Sequence, residues 1–360
     1  MADLTTDDIR ASVAAGVIDE AQAAQLLVIA QNRQGFRTNM ADEDEPFELF
    51  KGFSEIFVTV GLALLTAGLV GLTVAVGNWL LIPLISAGMS VLFARYFTLK
   101  RRMTLPSIFL ASTFASSMFV FLMTFLVDLN TGDTGSFNIV FVATAAALIV
   151  YYRIFKVPFT MLLIGLCGVG LSYSLAGLLL PELFVQESAD ASFRETFDVG
   201  ASPLLAFTLL GFGLAAFASG MWFDLRDPHR ISRHSASAFW LHILAAPAIV
   251  NVVAISLLAV GGSAGYLLAA AALVLIALVA LIIDRRSFLT AGIIYIGVIL
   301  TWALSATDVE GGWAIIWSLL IMGGFITGLG TWWVQLRTRL MLFLPDFPLK
   351  SKLPPYPEAT

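Results

Sequence analysis

The sequence predicts an all-α fold: a polytopic integral membrane bundle of about ten transmembrane helices, opened by a small N-terminal helical hairpin. Three observations predict it. Of 360 residues, 59% are hydrophobic and only 12% charged, with a mean hydropathy of +0.89. A soluble chain carries roughly 45–50% apolar and about 25% charged residues, because it must clothe its surface in polar groups. Apolar runs of span length recur from Ile56 onward. The basic residues, finally, are confined to alternate turns between those runs.

Residues 1–34 read as a cytosolic helical hairpin. Thr5 or Thr6 can cap a first helix, with Asp7 and Asp8 favourable in its first turn. Gly16 can end that helix. Asp19 then caps a second, with Gln22 three residues on as a capping-box variant. Ala23, Leu26, Leu27 and Ala30 follow helical spacing and give one apolar stripe, which Ile9, Val13, Val17 and Ile18 can cover. A core this small calls for a partner surface or the membrane domain itself. An acidic linker follows over 35–53 (Asp42, Glu43, Asp44, Glu45, Glu48). No secretory signal precedes the first span, which is expected to serve as the insertion signal.

The transmembrane domain covers 54–335. A membrane core of about 30 Å takes about 20 residues of helix. The charge-free run from Ile56 to Ala94 is about twice that, so it must turn, and Gly77-Asn78 is the turn signal near its centre. The predicted spans are 56–76, 79–97, 104–127, 138–152, 157–180, 202–223, 238–260, 265–283, 287–306 and 313–335. The fourth is short, so nine crossings plus a re-entrant segment is an alternative.

With the N-terminus inside, the inner segments hold every Lys and Arg except Arg194. That is the positive-inside pattern, and a missed span would scramble it downstream. Trp222, Trp240, Trp332 and Trp333 fall at inner boundaries, and Trp79, Trp302, Trp313 and Trp317 at or near outer ones. Both termini are therefore expected on the cytoplasmic side. Over 336–360 an interfacial segment, LRTRLMLFL, is followed by a Pro-rich tail expected to be extended and without fixed tertiary structure.

No catalytic, cofactor-binding or metal-binding residue is assigned. The single Cys167 excludes an intrachain disulfide and leaves CxxC redox or zinc chemistry without ligands, and there are three histidines. The motifs HExxH, GxxxxGK[ST] and GxSxG are missing. Asp128-Leu-Asn130-Thr-Gly-Asp133 fails as a calcium loop at its fifth and twelfth positions. No Asp, Glu, Lys or Arg lies in mid-span, which disfavours a buried carboxylate relay.

Two candidate sites remain. The seventh span holds Pro247, Asn251 and His242. Pro247 frees a backbone carbonyl, and a kink there can open a cavity beside Asn251. His242 lies nine residues from Asn251, on the opposite side of the helix. The inner loop Arg226, His229, Arg230, Arg233, His234 can contact anionic lipid, although the positive-inside rule alone accounts for its charge. Four-residue spacing of small residues (Ala63, Ala67, Gly71, Ala75; Gly211, Ala215, Ser219; Gly324, Gly328) reads first as helix-packing seams and second as an oligomer interface.

Four inner turns share a form in which basic residues are followed, after a short gap, by Pro or Thr: around Arg101-Arg102, Arg153–Lys156, Arg226–Pro228 and Arg285-Arg286. With the segment Gly16-Val-Ile-Asp-Glu-Ala-Gln22-Ala, the acidic linker and the train of paired spans, the chain resembles uncharacterised bacterial polytopic inner-membrane proteins that begin with a short cytosolic helical hairpin, a domain of unknown function. That resemblance implies a bacterial cytoplasmic membrane.

The expected function is a non-catalytic scaffold or regulatory membrane protein. A transporter or flippase-like protein for a neutral or lipidic substrate is the alternative, and a lipid-modifying membrane enzyme the second. The expected partners are the lipid bilayer and a cytosolic protein or second copy engaging residues 1–34, with no nucleic acid and no cofactor.

Overall fold

The computed structural model describes residues 6–33, 52–77, 80–129, 134–179, 193–230, 232–305 and 311–356. Among these every regular element is helical. The helices are α1 (Thr6–Ala14), α2 (Glu20–Arg33), α3 (Phe53–Val76), α4 (Leu81–Ala94), α5 (Thr104–Leu129), α6 (Thr134–Phe155), α7 (Thr160–Leu179), α8 (Phe193–Phe197), α9 (Pro203–Asp224), α10 (Arg233–Ala259), α11 (Gly262–Ile283), α12 (Ser287–Ser305) and α13 (Gly311–Phe343). Among the described residues nine are long and apolar enough to cross a membrane, α4 by continuing as a π-helix over Arg95–Lys100, and α12 adds a shorter apolar stretch, Ala291–Trp302. The chain is a multi-pass, membrane-embedded helical protein.

The hairpin forms by the expected local chemistry. The Asp19 carboxylate accepts from the Gln22 backbone N–H at 2.7 Å, and the Gln22 side chain accepts from the Asp19 N–H at 3.0 Å. Two otherwise orphaned donors are thus satisfied reciprocally. Gly16 takes a left-handed φ of +71°, a geometry glycine adopts without steric cost, and the Val17 N–H turns back to the Ser12 carbonyl. The stripe is only partly covered. Ile9 and Ala23 are buried, whereas Leu26, Ile29, Ala30 and Val17 are exposed.

The chain divides into two compact units, Pro46–Phe212 and Met1–Glu45 with Gly213–Thr360. In the first, α4 packs on α5, α6 on α7, and α3 on α5. Its core joins Leu62, Ala94, Leu110, Tyr151 and Phe155, with Phe114 stacked on Tyr151 at 4.8 Å. Gly77 closes α3 with φ +76° as the turn signal predicts; Asn78 lies outside the described residues. Helix α6 has 22 residues, so the fourth span is not short: it begins at Thr134, four residues before the expected start, with polar Ser136 and Asn138 in its first turns. At roughly 1.5 Å per residue this length is enough to cross a bilayer core of about 30 Å.

Glu55, at the start of α3, is 3% exposed and accepts from the backbone N–H groups of Thr104 (3.1 Å) and Leu105 (3.0 Å). A carboxylate some fifty residues away in sequence thus caps the N-terminus of α5 and meets the positive end of its dipole. Hydrogen bonds to a charged group contribute about 1.5–3 kcal/mol, so Glu55→Ala should lower unfolding stability by about 2 kcal/mol, with Glu55→Gln in between. Denaturant unfolding in detergent measures this, and a loss below about 0.5 kcal/mol for Glu55→Ala would remove Glu55 as a cap.

In the second unit α10 packs on α11 and α12, and α12 on α13. Helix α10 runs unbroken through Pro247. Helix α13 departs from helical geometry at Trp332 (φ −105°, ψ 19°) and resumes to Phe343.

The C-terminal segment differs from expectation. Arg337 is buried, and as far as Tyr356 the Pro-rich tail packs against the protein rather than standing free. Arg337 Nε donates to the Leu281 carbonyl (3.1 Å), Nη1 to Pro355 O (3.1 Å) and Nη2 to Pro354 O (2.6 Å). Proline lacks a backbone donor but keeps its acceptor, and a buried guanidinium collects such carbonyls. Leu353 and Pro354 are buried with it, and Lys350 Nζ donates to Leu344 O at 2.8 Å.

The four turns that share the basic pattern also share a geometry that the sequence did not reveal. Arg102 (φ 54°), Lys156 (φ 53°), Arg230 (φ 55°) and Asp284 (φ 58°) all sit in the left-handed region. Each lies in the turn joining two antiparallel helices, α4–α5, α6–α7, α9–α10 and α11–α12 respectively.

Among the described residues, three glycines of the small-residue stripes have no close neighbour. An added Cβ at Gly71, Gly211 or Gly324 would meet nothing within 4 Å. Close approach occurs instead at Gly168, against Phe212, and at Gly220, where a Cβ would lie 2.8 Å from the His242 ring.

A candidate ionic site at the turns joining four helices

Asp224 ends α9, His242 lies in the third turn of α10, and Arg285 sits between α11 and α12. Both oxygens of the Asp224 carboxylate are engaged by Arg285: Nε donates to Oδ2 at 3.1 Å, and Nη2 pairs with Oδ1. His242 Nε2 lies 2.9 Å from the same Oδ2. Asp224 is 6% exposed, Arg285 1% and His242 0%. The bidentate fork matches guanidinium to carboxylate, so the ion pair enters a dry environment with its geometry satisfied. Arg285 also reaches the Ser235 carbonyl at 3.2 Å, in the first turn of α10. Phe217 and Phe288 pack edge-on against the imidazole, each with its centroid 5.6 Å away. Gly220 gives the ring room, since any side chain there would occupy its volume.

A second ionic group adjoins the first. Asp284 pairs with Arg230 (3.1 Å), accepts from Trp333 Nε1 (2.7 Å) and lies 3.8 Å from Arg337. Arg230 also donates to the Asp284 carbonyl at 2.5 Å. On the same turn buried Asp227 accepts from both the Ser232 backbone N–H (2.8 Å) and its hydroxyl (2.7 Å). Ser232 in turn caps α10 by accepting from the His234 N–H. These polar side chains thus hold one another and the helix ends.

No protein family, curated protein or solved structure matches the chain. The site is therefore read from its own residues.

The structure separates the residues that the sequence groups. His242 belongs to the Asp224–Arg285 cluster. Asn251 accepts instead from the Tyr295 hydroxyl at 2.7 Å, on α12. Nine residues of helix, about 13 Å of rise, lie between the two, so they do not form one site. The basic loop divides as well. Arg230 and His234 are engaged internally, His234 within 3.0 Å of the Ser232 hydroxyl and stacked on Phe223. Arg226 and Arg233 are exposed, and His229 is half-buried. The Asp128–Asp133 loop lies largely outside the described residues, as does 181–192 of the outer loop.

Sequence reading does not single out Asp224, Asp284, Arg285 or Arg337 as site residues. Sequence reading treats each as a span-end charge, and Arg285 as one more positive-inside residue. A signal was present: acids at inner span ends, where the positive-inside rule asks for none, imply partners for some of the inner arginines.

A cavity of about 600 Å3 lies elsewhere in this unit, lined by Tyr266, Gly297, Thr301, Trp302, Ser318 and Met322 among others. Tyr266 stacks on Trp302 at 4.2 Å, and the Thr301 and Ser318 hydroxyls bond at 3.1 Å. Asn251 is not among its lining residues.

Proposed function

We propose that this chain is a non-catalytic scaffold or regulatory protein of a bacterial cytoplasmic membrane, with both termini inside, which presents its N-terminal hairpin to a cytosolic protein or a second copy. The observation that carries the reading is the hairpin surface. The hairpin is capped and turned by its own residues, yet Val17 (74% exposed), Leu26 and Ile29 stand in the open. Apolar side chains left uncovered on a small folded module mark a contact surface. The ionic clusters support the same reading, since their groups are spent on holding helices together.

A photo-crosslinking residue at position 26 or 29 of the full chain tests this. A discrete adduct is expected at these positions and not at the exposed polar position Gln25, substituted in the same way as a control. Recovery of the same co-purifying proteins after deletion of residues 1–45, with no adduct at either position, would sink the proposal. Orientation is read separately, with single cysteines on a Cys167→Ser background. Ser351→Cys should react with an impermeant maleimide only from the cytoplasmic side.

The open, mostly apolar cavity at Tyr266 and Trp302 favours a second reading, a transporter or flippase-like protein for a neutral or lipidic substrate. Lipid scrambling by the reconstituted chain, above that of protein-free vesicles, would distinguish it from the scaffold.

A further inference from the structure

The α9–α10 turn and the α11–α12 turn are held side by side by Arg230–Asp284, Arg285–Asp224 and Arg285–Ser235. The carboxylates of these turns face inward: Asp224 and Asp227 are buried, and the Asp284 side chain is largely so. The exposed charge of the joined turns is therefore of one sign, carried by Arg226, Arg233 and Arg286.

One of these guanidiniums lies on a tryptophan, and a second is near one. Arg226 Cζ is 3.5 Å from the centroid of Trp222, which is itself half exposed at the end of α9. Arg286 Cζ is farther off, 5.6 Å from the centroid of Trp333, which is buried and bonded to Asp284. Stacking holds a guanidinium plane against the ring and leaves its N–H edge pointing outward, the edge that grips a phosphate with two bonds. An exposed tryptophan favours the headgroup level of a bilayer, so Trp222 sets the Arg226 edge where lipid phosphates stand. Arg233 is the first residue of α10 and Arg286 immediately precedes α12; neither helix has an acid in its first turn. Cations at the positive end of a helix dipole are unfavourable, and an anion there reverses the sign.

We propose that Arg226, Arg233 and Arg286 form a binding surface for the phosphate headgroup of an anionic phospholipid. The proposal rests on the inside placement of these turns for the leaflet concerned, but its binding chemistry does not. Of the loop residues considered from sequence, Arg230 and His234 serve the protein's own structure, and Arg286 joins the lipid surface from the neighbouring turn.

The test uses the full chain in neutral detergent. Native mass spectrometry and the unfolding temperature follow titration with phosphatidylglycerol, phosphatidylcholine or soluble glycerophosphate. The wild type should prefer phosphatidylglycerol over phosphatidylcholine by about tenfold or more, and R226Q/R233Q/R286Q should lose most of that preference. R95Q, altered at the end of α4, should keep it. R226K, which retains the charge without the planar stack, should fall between the wild type and R226Q. An unchanged preference in the triple variant overturns the proposal, as does an equal loss in R95Q, which would mean diffuse charge attraction. Glycerophosphate binding as tightly as phosphatidylglycerol would assign the surface to a free phosphate and overturn it too. The exposure of the substituted side chains lets the variants fold, and their lipid-free unfolding temperatures verify it. Because detergent has no sides, a reversed orientation in the cysteine experiment leaves this result intact, and failure here leaves the orientation intact.

Discussion

Asp224→Ala is expected to cost about 3–5 kcal/mol of unfolding stability, because it leaves the buried Arg285 guanidinium without its counter-charge. His242 loses its partner in the same step. The penalty is that of an uncompensated buried charge rather than the net worth of the ion pair. Asp224→Ala combined with Arg285→Met should therefore recover most of the loss, since apolar replacements of a buried pair are often neutral. Chemical unfolding in micelles followed by circular dichroism measures both. The helical signal of the single variant before unfolding should match that of the parent, because each helix retains its own backbone bonds. A single variant within about 1 kcal/mol of the parent, or a double variant weaker than the single, would show that the cluster is not a tie.

Arg337→Met should release the C-terminal tail. One guanidinium collects the carbonyls of Leu281, Pro354 and Pro355, and no other residue type spans three acceptors at these angles. Losing even one charge-assisted bond, about 1.5–3 kcal/mol, should raise the open population of the tail at least about tenfold. Tryptic cleavage after Lys350 and Lys352 reads that population directly. Arg337→Lys keeps the charge but offers a point donor, so it should protect only in part. Cleavage at the parent rate in Arg337→Met would mean that Leu353 and Pro354 hold the tail by packing alone.

How much of this was legible in the sequence depends on the range of the interaction. The hairpin was, down to the Asp19–Gln22 reciprocity, because a capping box is complete within four residues. The helices of the membrane domain were too, because hydropathy over twenty residues is a local average. The fourth helix appeared short because its first turns are polar, and hydropathy undercounts a helix that starts in the headgroup layer. The ties were not legible. Glu55 with Thr104, Asp224 with Arg285, and Arg337 with Pro354 each join distant positions, and each partner has an adequate local explanation as an end charge or a terminal proline. The positive-inside rule accounts for inner arginines as a class, and so hides which of them are paired. Asn251 and His242 shared a helix but not a neighbour, and only the packing of α12 reveals that.

The four left-handed turns at Arg102, Lys156, Arg230 and Asp284 bear on how the molecule is put together. Each closes a pair of helices through bonds spanning few residues, such as Arg101 N–H to Tyr96 O and Arg285 N–H to Ala280 O. The repeating part of the architecture is thus a set of self-closing pairs, while Asp224–Arg285 and Arg230–Asp284 act between pairs. Damage to a turn and damage to a tie therefore have different signatures. The first costs a hairpin its shape. The second leaves intact hairpins that no longer know their neighbours, a fault of assembly in a chain whose helix content is undiminished.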